Sequence, residues 1–102
     1  MDTEKIKQKV LNDNFRLSEH AENEKQRDKI YFNEIDEAFK NIELIEEYPE
    51  DPRGRSCLLL GFSLKGKPLH FVCGDLDKEN ILFITMYRPK INDWINYRIR
   101  KE

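Results

Sequence analysis

Three short β-rich runs, Cys57–Ser63, Leu69–Gly74 and Ile81–Tyr87, follow one another through connections too short to carry a helix. Parallel neighbours need a crossover of a dozen or more residues, so these runs must pair antiparallel, as hairpins. A small meander has one face to bury, and a chain of 102 residues has room for a single second layer to bury it. The expected class is therefore α+β, in one domain spanning residues 1–102.

The covering layer comes from the first half. Ile35, Ala38, Phe39 and Ile42 fall at the i, i+3, i+4, i+7 spacing of one apolar helical stripe, with Glu34, Asp36, Glu37 and Lys40 outside it. Ser18 is placed to cap a helix reaching about Lys29, and Glu19 and Glu22 in its first turn suit the helix dipole. Residues 1–14 offer only Ile6, Val10 and Leu11 before Asn12-Asp13-Asn14 breaks the pattern, which predicts a weak helix or an arm. Leu44 to Tyr48 reads as a charged edge strand, and residues 49–55 as a loop. The tail from Trp94 to Arg100 suits a helix or a last strand equally.

Hairpin arithmetic predicts which side chains meet. A two-residue turn at Lys65-Gly66 sets Gly61 opposite His70, and a loop at Asp75–Asn80 sets His70 across from Thr85. Alternation then puts Leu58, Leu60, Phe62, Leu69, Phe71, Cys73, Leu82, Ile84 and Met86 on a helix-covered face. The other face collects Cys57, Leu59, Gly61, Ser63, His70, Val72, Phe83, Thr85 and Tyr87, with Glu46 and Tyr48 from the edge strand. An imidazole, a hydroxyl and phenols among apolar neighbours make that second face the place to seek chemistry.

Composition excludes several classes. No apolar stretch approaches membrane-spanning length and the opening residues do not resemble a signal peptide, so a cytoplasmic protein with no membrane contact is expected. Cys57 and Cys73 lie too far apart for a Cys-x-x-Cys pair, and His20, His70 and the carboxylates form no ligand spacing, so neither a disulfide framework nor a metal site is indicated. Without a glycine-rich phosphate loop or a nucleophile elbow, no cofactor is expected. The net charge of −2 conceals 8 basic and 15 acidic residues in 1–52 against 10 basic and 5 acidic in 53–102. The second half thus suits an anion, or else simply balances acidic helices.

Several boxes occur in a familiar order: Leu17-Ser18-Glu19-His20-Ala21, Ile45-Glu46-Glu47-Tyr48-Pro49, Ser56-Cys57-Leu58-Leu59-Leu60-Gly61, Lys67-Pro68-Leu69-His70-Phe71-Val72, Ile84-Thr85-Met86-Tyr87-Arg88-Pro89, and Trp94. Over residues 15–97 the chain resembles a family of small bacterial proteins of unassigned function, often placed with the RelE- and MqsR-like toxins. The resemblance implies two N-terminal helices on one face of a four-stranded antiparallel sheet. It also implies a toxin-type endoribonuclease of a toxin-antitoxin pair, whose antitoxin carries a zinc-binding and a helix-turn-helix part. Where that family often has two further arginines in the first helix, this chain has Glu24 and Asp28, with Arg27 alone nearby, and Tyr31 stands where a helix-starting Ser or Thr is usual.

Metal-free RNA cleavage needs a base for the ribose 2′-hydroxyl, an acid for the leaving oxygen and cations for the phosphorane. His70 is the expected base or acid, with Thr85 and Tyr87 completing the catalytic set. Arg88, Tyr48, Arg53, Arg55 and Lys67 are expected to hold RNA or phosphate, with Lys65 and Lys90 beside them. His20 is a secondary candidate, or ties its helix to a nearby carbonyl. Against this stand a His70 bonded to Thr85 or Tyr87 only to satisfy polar groups, and a Trp94 that anchors packing. The other class in contention is a non-catalytic interaction domain that docks onto a protein through the mixed sheet face or the acidic helices.

Overall fold

Helix termini are fixed by side chains that also tie the helices to the sheet. The computed structural model describes residues 1–102. Asp2 accepts the Lys5 N–H at 3.2 Å and starts α1 (Thr3–Leu11), whose Ile6 and Val10, one turn apart, are buried in the core. The stretch expected as a weak helix or arm is thus a docked helix. After β1 (Phe15–Leu17), the Ser18 hydroxyl accepts the Ala21 N–H at 3.0 Å and donates to the Ile84 carbonyl at 2.9 Å, capping α2 (Glu19–Arg27) and pinning its start to the sheet. α3 (Phe32–Phe39) buries Ile35, Ala38 and Phe39, three of the four stripe residues, while Ile42 beyond its end is half-buried. Glu34 accepts the Tyr31 N–H at 3.1 Å, so this helix starts without the usual Ser or Thr.

The strands are β2 (Glu43–Tyr48), β3 (Ser56–Phe62), β4 (Pro68–Asp75) and β5 (Ile81–Tyr87), and the sheet order is β1-β5-β4-β3-β2. β2 to β5 form the expected antiparallel meander. Two expectations are corrected: there are three helices, and a fifth strand, β1, lies parallel to β5 and makes the sheet mixed. Past β1 the edge of β5 is covered by α2. Glu24 accepts the Met86 N–H at 3.1 Å and Asp28 the Arg88 N–H at 2.9 Å, one helical turn matching two strand residues. Glu24 and Asp28 therefore serve as hydrogen-bond partners for an otherwise open strand.

The register differs from the hairpin arithmetic at two points. The β3–β4 connection is not a two-residue turn. Ser63 N–H donates to the Lys67 carbonyl and Gly66 N–H to the Ser63 carbonyl, a longer loop that sets Leu60, not Gly61, opposite His70. On the other side His70 pairs with Tyr87 and Thr85 with Val72. A bulge follows, because Cys73 pairs with Phe83 and leaves Ile84 as an extra residue. One residue of slip inverts a strand's faces. Cys57, Leu59 and Phe83, expected on the polar face, lie in the helix-side core with Leu69, Phe71, Cys73 and Met86. Leu58 and Leu60, expected under the helices, share the opposite side with His70. Gly61 also belongs to the helix side: a Cβ there would stand 2.6 Å from the Ala38 carbonyl oxygen, so its lack of a side chain lets α3 rest directly on β3.

The tail forms a short 3₁₀ turn (Ile91–Asp93) and then a separate hairpin, β6 (Trp94–Ile95) and β7 (Ile99–Arg100). Three residues, Asn96 to Arg98, join the two strands, the Arg98 N–H donates to the Ile95 carbonyl at 3.0 Å, and Asn96 and Tyr97 both have positive φ, 51° and 62°. Arg98 bonds Glu43 at 2.7 Å and Arg100 bonds Glu46 at 3.1 Å, fastening this hairpin to β2.

Candidate functional site

The sheet side away from the helices is divided by that hairpin. At one end Trp94 packs edge-on against His70, with ring centroids 4.5 Å apart, and is itself buried. His70 is 0% exposed. Its Nε2 lies 2.8 Å from the Tyr97 carbonyl, which can only accept, so Nε2 carries the proton. Nδ1, 3.1 Å from the Tyr87 hydroxyl, accepts from it. Both ring nitrogens are thus satisfied in the neutral form. Burial lowers the imidazole pKa below its ordinary 6.5, against the opposing pull of the Tyr97 carbonyl. Burial likewise pushes the Tyr87 phenol up to about 12. The expectation of a solvent-reachable His70 is corrected: the ring faces away from the helices as expected, but the hairpin covers it, and its neighbours are Leu60 and Tyr87 rather than Gly61 and Thr85.

This arrangement makes the hairpin sensitive to acid. The unfolded chain takes up the His70 proton first as pH falls, so the stability held in the neutral ring is complete above about pH 6.5 and declines as pH drops toward the lower folded-state value. The denaturation midpoint of the wild type is expected to fall more steeply below that pH than the midpoint of His70→Gln. Trp94 is the sole tryptophan, and its emission should shift red in the same range. Parallel pH profiles for the two proteins would refute this role.

Two expected phosphate ligands are also occupied. The Tyr48 hydroxyl donates to Glu46 at 2.5 Å and accepts from Arg100 at 3.3 Å, so it belongs to the hairpin fastening. Arg88 points to the junction of α2 and α3, where it bonds the Asp28 and Lys29 carbonyls and Glu34 at 2.8–3.0 Å. It shares a cavity of about 530 Å³ with Lys67, Lys65, Glu34 and Glu37, apart from His70 and Thr85. Lys90 lies beside Tyr87 and Trp94 in another shallow groove.

At the other end of the sheet side the structure brings together a different subset. Thr85, Ile84 and Leu82 of β5, Gly74 and Asp75 of β4, Ser18 and His20 at the start of α2, and Arg53 to Arg55 line one cleft of about 410 Å³. The bulge at Ile84 is what turns both Ile84 and Thr85 toward it. His20 is exposed, and its Nε2 lies 3.2 Å from Oε1 of the nearly buried Glu24, the same oxygen that accepts the Met86 N–H. The imidazole thus lies within ion-pair distance of a carboxylate that is itself fixed to the sheet. Arg53 makes a two-pronged contact with Asp51, whose carboxyl the arginine draws down to about 2, while Arg55 is exposed and only 4.0 Å from Asp75. Arg55 is thus the freer cation. No three His, Cys, Asp or Glu side chains converge in a way that would hold a metal ion.

The sequence did not foretell this separation of His70 and Tyr87 from Thr85, because the Cys73–Phe83 bulge and the Trp94 hairpin carry no local signal. The one signal for the cleft was the His20-x-x-x-Glu24 spacing behind the Ser18 cap, which sets a histidine one turn before a helix glutamate.

The fold and cleft define a small α+β domain with a histidine beside a carboxylate and two arginines on the sheet side opposite its core. Residues 17–88 match the family described as a domain of unknown function, DUF4258, and the chain belongs to that family. α1 and the β6–β7 hairpin lie outside the matched residues. No curated protein and no solved structure matches the chain. No helix is long and apolar enough to cross a membrane.

Proposed function

We propose that this protein is a toxin-type endoribonuclease of the RelE- and MqsR-like kind, cleaving RNA without a metal in the cleft beside the start of α2, and held in check in the cytoplasm by an antitoxin. The observation that carries the reading is the convergence of His20, braced by Glu24, with Thr85, Arg53 and Arg55 on one cavity. In this arrangement His20 takes the proton of a ribose 2′-hydroxyl, and the resulting oxyanion attacks the adjacent phosphorus. Arg55 and Arg53 offset the charge gathering on the non-bridging oxygens, and the Thr85 hydroxyl donates to one of them. The departing 5′-oxygen then receives a proton from the imidazolium, leaving a 2′,3′-cyclic phosphate. His70 and Tyr87 support the same cleft from a distance, by holding the adjoining stretch of β5 in register.

The test is incubation of purified protein with single-stranded RNA in EDTA. The expected result is strand scission with cyclic-phosphate ends, together with arrest of host growth on expression unless a neighbouring antitoxin gene is supplied. Intact RNA and undisturbed growth would instead favour a protein-docking domain. That second reading draws on the exposed Ile91, Ile95 and Ile99 around the tail hairpin.

A further inference from the structure

The cleft does not end at Arg55. Arg55 and Asp75, which form one wall of it, also line an adjoining cavity of about 310 Å³, whose far wall is α1 with Lys5 and Lys9. The two lysines stand four residues apart, one above the other on the same helical face. Neither makes an ion pair. Three carboxylates stand near them. Asp2 caps the helix through the Lys5 N–H, Asp77 holds its own loop by bonds from Glu79 and Asn80, and Asp75 faces Arg55. The ammonium groups therefore form no fixed pair within the chain, and Lys9 acts on Asp77 only at longer range. Since α1 lies ahead of the family-matched residues, this second cavity is an extension that the N-terminal helix adds to the family cleft.

We propose that the two cavities form one groove for a polynucleotide strand, with one phosphate at Arg53 and Arg55 and a neighbouring phosphate at Lys5 and Lys9. This rests on the ribonuclease reading and adds to it that the substrate is longer than a dinucleotide and is gripped by α1. Lysine suits this place, because a backbone-tracking contact asks for a point charge and not for base recognition. Arg55 sits at the junction and serves both halves.

The test is fluorescence anisotropy in EDTA with uncleavable 2′-O-methyl oligoribonucleotides, one a dinucleotide and one long enough to span both cavities. For the double variant Lys5→Ala/Lys9→Ala, which keeps good helix formers on α1, the expected result is about tenfold weaker binding of the long oligomer, a salt dependence shallower by roughly one phosphate contact, and unchanged binding of the dinucleotide. Thermal melting checks that the variant is folded. Unchanged affinity for the long oligomer would overturn the groove while leaving cleavage at His20 intact. Lysine-dependent binding without cleavage would support the groove and overturn the ribonuclease reading. Equal displacement of RNA by polyglutamate at matched charge would overturn the assignment to a polynucleotide.

Discussion

His20→Ala should lower the rate of RNA cleavage by about 10²- to 10⁴-fold, the range that a positioned acid or base supplies. The side chain is exposed and its only polar partner is Glu24, so the variant should melt close to the wild type. Glu24→Gln should fall in between, because the amide oxygen still accepts the Met86 N–H but no longer braces a cationic ring. His70→Gln supplies the contrast. It removes the buried ring that the hairpin rests on, so stability should drop while the residual folded protein cleaves at a comparable rate. Initial rates on a fluorogenic RNA in EDTA, beside melts of each variant, separate these outcomes. Full activity in His20→Ala, with loss confined to a folded His70→Gln, would move the chemistry beneath the hairpin and end the cleft assignment.

The largest expected loss of stability is at Phe39. Its ring is fully buried, with its centroid 4.9 Å from that of Phe71 and 5.6 Å from that of Phe83, joining α3 to the central strand β4 and its neighbour β5. Phe39→Ala should cost about 3–5 kcal/mol, which for a domain near this size lowers the melting temperature by about 4–8 °C for each kcal/mol. Leu64→Ala, at a side chain 85% exposed in the β3–β4 loop, should stay within about 0.5 kcal/mol of the wild type. Equal effects at the two positions would mean that α3 does not carry the core.

How much of this was readable beforehand follows from which forces are local. The Ile35, Ala38, Phe39 stripe and the Ser18 cap are written in residues a few positions apart, and both were legible. The antiparallel meander followed from connection length alone. Register did not, because Lys65-Gly66 offers a plausible tight turn and nothing nearby reveals that Ser63 and Lys67 bond each other instead. The bulge at Ile84 and the parallel pairing of Phe15–Leu17 with β5 depend on residues distant in the chain. The tail hairpin turns at Asn96-Tyr97 without the glycine that usually marks such a turn, so its cover over His70 left no trace. The split between Thr85, which opens onto the cleft, and Tyr87, which serves the hairpin, required the third dimension.

The α2 carboxylates have a bearing on self-association. Glu24 and Asp28 consume the donors of β5 beyond β1, and β1 offers only three residues, too few to template an incoming strand. Only β2 remains as a full-length border, and it presents Glu43, Glu46 and Glu47. A ribbon with a single usable border can at most meet one second copy of itself edge to edge, across a border whose glutamates are already paired with Arg98, Arg100 and the Met1 ammonium. Fibre growth by strand addition, which needs two borders on every subunit, is closed to this molecule.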